Sequence, residues 1–381
     1  MDNVFPARQA SADTPNDESE RMRYRTTIIG TGAIAHAHAD AVAAHAERFE
    51  LVAVCDLDAE RGREFADRHR ASAVFDDAER MIAETRPDFV QICTPPGSHV
   101  PLMIAALRAG AVPIVEKPPA LSLAELDEVI AVERETGLAA IGVFQQRFGS
   151  GADTLAAMMA EGVLGRPLVA TCETLWYRDA DYFAVPWRGT WQSEGGGPTM
   201  GHGIHQLSTL LGLLGPWSDV RAVARRQSRP TETEDVSAAL VTFASGAVAT
   251  VVNSLISPRE TSRVRIDFEH ATAELEHLYG YTRDAWRFTP APDSPHLAER
   301  WAADTTHHES SHTAQFADVL DALDAGRPAP VTMADARELL DLAAATYKSA
   351  FTGATVAAGE IGPGDPFYTS MRGTGAPWET P

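Results

Sequence analysis

The sequence predicts an α/β protein of two domains: an N-terminal doubly wound parallel sheet, then an α/β domain built on a large, open and mostly antiparallel sheet. Three observations carry that prediction. Short apolar runs alternate with longer amphipathic stretches from Arg25 to Phe144, a glycine-rich turn closes the first apolar run, and after Gln145 strand-like segments crowd together. With 381 residues, 44% of them hydrophobic, the chain can bury two cores, because a single core stops growing at about 250 residues.

Taken in order, residues 1–22 are rich in Asp, Ser, Pro and Asn, lack periodic hydrophobics, and are expected to be a disordered tail. The segments TTIIG, LVAVCD, FVQICT, VPIVEK and LAAIGVF then read as strands, separated by helices through His45, through His69, over 101–109 and over 122–136. Such repetition signals parallel β-α-β units whose strands are covered on both faces, and it sets the first domain at 23–145. In 146–352 the strand-like segments are LVATCETLWY, VRAVARRQ, SAALVTFA, AVATVVNSL, RVRIDFE and TAELEHL, followed by helices over 313–325 and 333–350. A Gly- and Pro-rich tail is expected over 353–381.

Composition narrows the function. The formal net charge of −21 argues against a phosphate-backbone partner, which clustered Lys and Arg would be needed to bind, so no nucleic acid is expected. Three widely spaced cysteines, Cys55, Cys93 and Cys172, read as buried free thiols with neither disulfide nor metal spacing. Neither a secretory h-region nor a run of about 18 apolar residues is present, so no membrane partner and a cytoplasmic location are expected.

The chemistry begins at Gly30-Thr31-Gly32-Ala33-Ile34-Ala35, the G-x-G-x-x-A form of the dinucleotide fingerprint. The first glycine permits the tight turn, the second lets backbone approach a pyrophosphate, and the helix that follows offers free N–H groups to the phosphates. Asp56 closes the second strand, where a carboxylate accepts the adenosine ribose hydroxyls and repels a 2′-phosphate; this favours NAD over NADP. Two further elements fall at later strand ends, where ligands collect in open parallel sheets: the turn containing Thr94, Pro95 and His99, and the tripeptide Glu116-Lys117-Pro118.

These residues resemble the Gfo/Idh/MocA family of sugar and inositol dehydrogenases. The resemblance runs in order through GTGAIA, VCD, CTPPGSHV, VEKP, FQQRF, PWRGTW, GGGPTMGHGIHQ, AGRPAPVT and ATYKSA, nearly the whole folded chain. It implies an N-terminal Rossmann domain and a C-terminal α/β domain that bears the substrate site and often the subunit contacts, here a homo-oligomer, dimer or tetramer. It also implies that Lys117 touches both nicotinamide ribose and substrate, that His205 transfers the proton, and that Gln145, Trp187, Arg188 and Tyr347 approach the cofactor. Family members commonly read D-x-G-x-H where this chain has Gly201-His202-Gly203-Ile204-His205, so the carboxylate beside the histidine is missing.

The expected activity is hydride transfer between nicotinamide C4 and a secondary alcohol or ketone carbon of a sugar, sugar derivative or inositol. An imidazole suits the proton transfer, since its unperturbed pKa of about 6.5 lies near working pH. A lysine ammonium would stabilise the developing alkoxide. Arg147, Trp176 and His202 are expected on the substrate, within an aromatic-rich stretch of Trp176, Tyr177, Tyr182, Phe183, Trp187 and Trp191, and Gly195-Gly196-Gly197 is read as a close approach to ligand. His36 and His38 are expected to face solvent or the adenine edge, in a structural rather than a chemical role. His307, His308 and His312 are read as the rim of the substrate cleft, with no metal expected. Two other readings remain: a glycosidase that uses bound NAD in redox-assisted cleavage, and a non-catalytic dinucleotide-binding regulator.

Overall fold

The computed structural model describes residues 23–185 and 187–379; the tail expected at 1–22 lies outside them. Two compact units form. The first gathers the described residues through Ala120 with Leu126–Val143 and His312–Ala336, and the second gathers Leu121–Glu125, Phe144–Ser311 and the described residues from Arg337.

In the first unit six strands run β1 (Tyr24–Ile29), β2 (Phe49–Cys55), β3 (Val74–Phe75), β4 (Phe89–Ile92), β5 (Val112–Val115) and β6 (Ile141–Gly142). They lie in the order β3-β2-β1-β4-β5-β6, every pairing parallel. The helices α1 (Ala33–Ala44), α2 (Ala59–His69), α3 (Ala78–Thr85) and α4 (His99–Arg108) make the crossovers, with Leu123–Thr136 completing the last. This is the doubly wound Rossmann order that the sequence predicts, and the order reverses between β1 and β4, where a crevice opens at the strands' carboxyl ends. β4 and β5 are buried throughout, as apolar runs covered on both faces must be. α2 starts where Asp58 accepts the N–H groups of Glu60 and Arg61, and α3 where Asp77 accepts that of Arg80. β3, two residues long, is too short to leave a periodic signal.

The segment His312–Ala336, assigned by its sequence position to the second domain, packs in the first unit. Its helix, His312–Asp324, lies against α1: Arg48 grips Asp324 through two 2.8 Å bonds, and His45 Nε2 lies 3.0 Å from the carbonyl of Thr313. Contacts between residues this far apart in the chain leave no local pattern.

The second unit is built on eight strands, β7 (Pro167–Tyr177), β8 (Trp217–Arg225), β9 (Val236–Phe243), β10 (Val248–Ser254), β11 (Ile256–Phe268), β12 (Ala271–Glu276), β13 (Trp286–Pro290) and β14 (Val356–Ala357). Their order is β13-β12-β11-β7-β10-β9-β8-β14, antiparallel except for β7 with β10. One face is packed: along β8, Val220, Ala222 and Ala224 are buried while Arg221, Val223 and Arg225 are exposed. The open face carries exposed Val169, Val223, Leu240 and Val248 on four strands. The tail expected after Gly353 is instead folded, with β14 paired to β8 and Ile361, Phe367 and Met371 buried. Its Gly and Pro residues make turns between buried apolar anchors rather than free chain. Cys55, Cys93 and Cys172 are buried free thiols, as expected, and among the described residues no helix is long and apolar enough to cross a membrane.

Candidate functional site

In the first unit the fingerprint turn lies at the switch point. Gly30 has φ +82°, and a Cβ there would meet Thr94 Cγ2 at 2.9 Å and the Cys93 carbonyl at 3.0 Å, so only glycine lets the ends of β1 and β4 come this close. Above Gly32 nothing lies within 4 Å of where a Cβ would stand, and Gly32 and Ala33 are exposed. The first turn of α1, Ile34 included, has no side-chain cap, so its N–H groups and positive dipole end face that open space. The turn therefore fits a pyrophosphate.

Asp56, at the end of β2, is buried and fully engaged. One oxygen accepts Thr31 N–H at 2.8 Å, Thr31 Oγ1 at 2.6 Å and Arg61 Nε at 3.1 Å; the other accepts Arg61 Nη2 at 2.6 Å and Asp58 N–H at 2.9 Å. Burial opposes its charge, yet the Arg61, Thr31 and Asp58 bonds prevail and hold the carboxyl below the usual carboxylate range. Arg61 is a residue that sequence reasoning missed. Its guanidinium offsets the charge on which the NAD preference was argued.

At the ends of β4 and β5 the structure corrects two expectations. His99, expected on the cofactor, is fully buried with Nδ1 2.9 Å from the Pro118 carbonyl and Nε2 2.8 Å from the Thr94 carbonyl; it braces the two loops and has no atom left for a ligand. His38, expected at the surface, is also fully buried, because the first helix turns that position inward. Its Nδ1 lies 2.8 Å from Gln91 Oε1 and its Nε2 3.1 Å from Glu116 Oε1, while His312 Nε2 lies 2.8 Å from the same oxygen. These three groups converge within 4.8 Å of one another, a donor set able to take a cation or a shared proton. Glu116, read from the sequence as a cofactor residue, is thus buried among imidazoles, while Lys117 beside it is half-buried. His36 pairs instead with His69, 2.7 Å away.

In the second unit, His205 occupies the first turn of the helix Ile204–Leu214 and is 3% exposed. The Tyr279 ring stands edge-on to it at 6.2 Å, and Gln145 Nε2 donates to Tyr279 Oη at 2.5 Å. Trp176 packs edge-on against His202 at 5.1 Å and against Tyr279 at 6.4 Å. Tyr182 Oη lies 3.3 Å from His202 Nε2, and the Arg188 guanidinium lies between the rings of Tyr182, at 3.9 Å, and Trp187, at 4.3 Å. Gln145, Trp176, Trp187, Arg188, His202 and His205 are thus gathered in one aromatic cluster. Tyr279, 47% exposed, belongs to it too, and nothing in its local sequence signalled this.

Other expected residues do otherwise. The Arg147 guanidinium lies against Gly212, about 10 Å along the helix from His205 at 1.5 Å per residue. Tyr347 is fully buried, its hydroxyl donating to Glu234 Oε1 at 2.8 Å. Gly195-Gly196-Gly197 approaches not a ligand but the protein itself: a Cβ on Gly196 would strike the Tyr347 hydroxyl, and one on Gly197 the Glu234 carbonyl. Glu234 also accepts the N–H groups of Gly197 at 3.0 Å and Thr199 at 3.2 Å, and burial pushes its carboxyl up. His308, expected on the rim of the substrate cleft, pairs in this unit with Asp153 at 3.1 Å.

Comparison with known proteins agrees with this architecture. Residues 24–143 match the oxidoreductase family with NAD-binding Rossmann fold, and residues 152–274 match the GFO/IDH/MocA C-terminal domain. D-glucoside 3-dehydrogenase of Escherichia coli (strain K12) is 28% identical over 359 residues, 87% of this chain and 97% of that protein. Inositol 2-dehydrogenase 4 of Saccharopolyspora erythraea is 28% identical over 280 residues, 71% of this chain and 79% of the relative. The WlbA dehydrogenase of Bordetella pertussis, solved in complex with NADH and UDP-GlcNAcA, shares the fold with a TM-score of 0.78 at 24% identity, over 88% of this chain and 99% of that one. With matches running through both units, the chain belongs to the Gfo/Idh/MocA family and is an oxidoreductase with an NAD-binding Rossmann domain.

Proposed function

We propose that this enzyme oxidises a secondary hydroxyl of a sugar, sugar derivative or inositol, or reduces the corresponding ketone, with NAD as partner and with Lys117 and His205 acting on the substrate oxygen. When bound, the dinucleotide supplies the hydride acceptor or donor at nicotinamide C4. An imidazole nitrogen of His205 takes the hydroxyl proton in oxidation and returns it in reduction. The Lys117 ammonium stabilises the oxygen as negative charge develops. Trp176 and Tyr279 offer aromatic faces to a sugar ring, and His202 and Gln145 offer polar groups for its other hydroxyls.

The observation that carries this reading is the gathering of two imidazoles, three aromatic rings and an amide around His205. The relatives named for glucoside and inositol oxidation support the substrate class. NAD is favoured by Asp56, and comparing kcat/KM for the two dinucleotides tests it, since Arg61 neutralises part of that carboxylate. The open apolar face of the second sheet supports a homo-oligomer, which the mass in solution tests.

Incubating the protein with NAD and a panel of glucosides and inositols decides the activity. Net NADH accumulation is expected. Release of aglycone without net reduction would establish a glycosidase instead, and dinucleotide binding with neither outcome a regulator, the reading that Gly201 favours. Lys117→Ala and His205→Ala should each lower turnover by about 100-fold or more, and wild-type rates in either would remove that residue from the reaction.

A further inference from the structure

A carboxylate that is 5% exposed needs partners, and Glu116 draws them from three separate elements. Its Oε1 accepts from His38 Nε2 on α1 and from His312 Nε2 on the helix His312–Asp324. Its Oε2 accepts the main-chain N–H of Lys117 at 3.2 Å. Gln91 Nε2 donates to Thr26 Oγ1 at 3.0 Å, and the Gln91 amide oxygen faces His38 Nδ1 at 2.8 Å.

We infer that His38 and His312 are positioning residues for Lys117: they lock the Glu116 carboxylate, which holds the Lys117 main chain and ties it to the helix whose first turn faces the dinucleotide. The inference rests on the proposed role of Lys117. Around His38 stand Gln91 on β4 and Cys93 just beyond it, Glu116 just beyond β5, and His312 and Phe316 on the neighbouring helix.

The test measures kcat and KM, with saturating dinucleotide, for the wild type, His38→Gln, His312→Ala, His312→Gln and Lys117→Ala, alongside dinucleotide affinity and melting. His38→Gln, whose amide can still donate to Glu116, should keep kcat within about threefold of the wild type. His312→Ala should lower kcat about tenfold with dinucleotide affinity unchanged within about twofold. His312→Gln, whose amide can still donate to Glu116, should recover most of the loss. Equal kcat in His312→Ala and wild type overturns the inference. So does a stoichiometric divalent metal retained by the wild type and lost from His312→Ala, because a cation would then stand where the shared protons are placed. If His312→Ala does not fold, His312→Gln and His38→Gln still decide, and a loss of kcat of about tenfold in either overturns the inference. Wild-type turnover in Lys117→Ala would sink the proposed reaction itself, whereas an impaired Lys117→Ala beside an unaffected His312→Ala sinks only the positioning role.

Discussion

Two glycine runs, Gly30-Thr31-Gly32 in the first unit and Gly195-Gly196-Gly197 in the second, invite the same explanation and have opposite uses. Both let backbone come close to something. Over Gly32 the space is open and a helix N-terminus faces it, whereas over Gly196 and Gly197 the space is filled by Tyr347 and Glu234. The first run is shaped for a ligand and the second for the protein's own interior. A missing Cβ licenses close approach without naming what approaches.

The comparison breaks most sharply at Gly32→Asp. A carboxylate over the open turn would face the pyrophosphate, and dinucleotide affinity should fall by about 100-fold or more, with melting unchanged. Equal affinity in a dinucleotide titration would mean that no phosphate rests there. Gly196→Ala should do the reverse: its Cβ collides with the Tyr347 hydroxyl, costing about 3 kcal/mol in denaturant unfolding and leaving dinucleotide affinity near wild type in whatever remains folded.

Glu234 sharpens the contrast through pH. Its buried carboxyl is raised, so the folded state holds that proton more tightly than the unfolded chain does, and stability should fall as pH rises past the ordinary carboxylate range. Glu234→Gln should flatten that decline in melting temperature, and a decline of unchanged slope would assign it to another group. The smallest effect is expected at Gly201, where a Cβ meets nothing within 4 Å. Gly201→Asp should change stability by less than about 1 kcal/mol. A larger loss, measured by melting, would show that this glycine is held by its backbone.

Much of the first unit was legible because its signals are local. The strand and helix alternation, the fingerprint and its place at a strand end all lie within short windows, and the observed strand order follows from them. The second sheet was legible as a class of structure but not as a strand order, since β13 and β14 are brief and β7 pairs with strands far along the chain. Among site residues, Trp176, His202 and His205 lie close in sequence and come together. Tyr279 reaches Gln145 across 134 residues and His312 reaches Glu116 across 196, separations at which periodicity says nothing.

The sequence alone determined the order of elements, the phosphate-facing turn, and the side chains available for proton and hydride chemistry, because each depends on residue types at fixed short spacings. Only the tertiary structure decided which of those side chains are spent inside the protein. His99 and Tyr347 look like ligand-binding groups until the fold surrounds them, since burial and hydrogen-bond partnership depend on segments that meet through packing rather than along the chain.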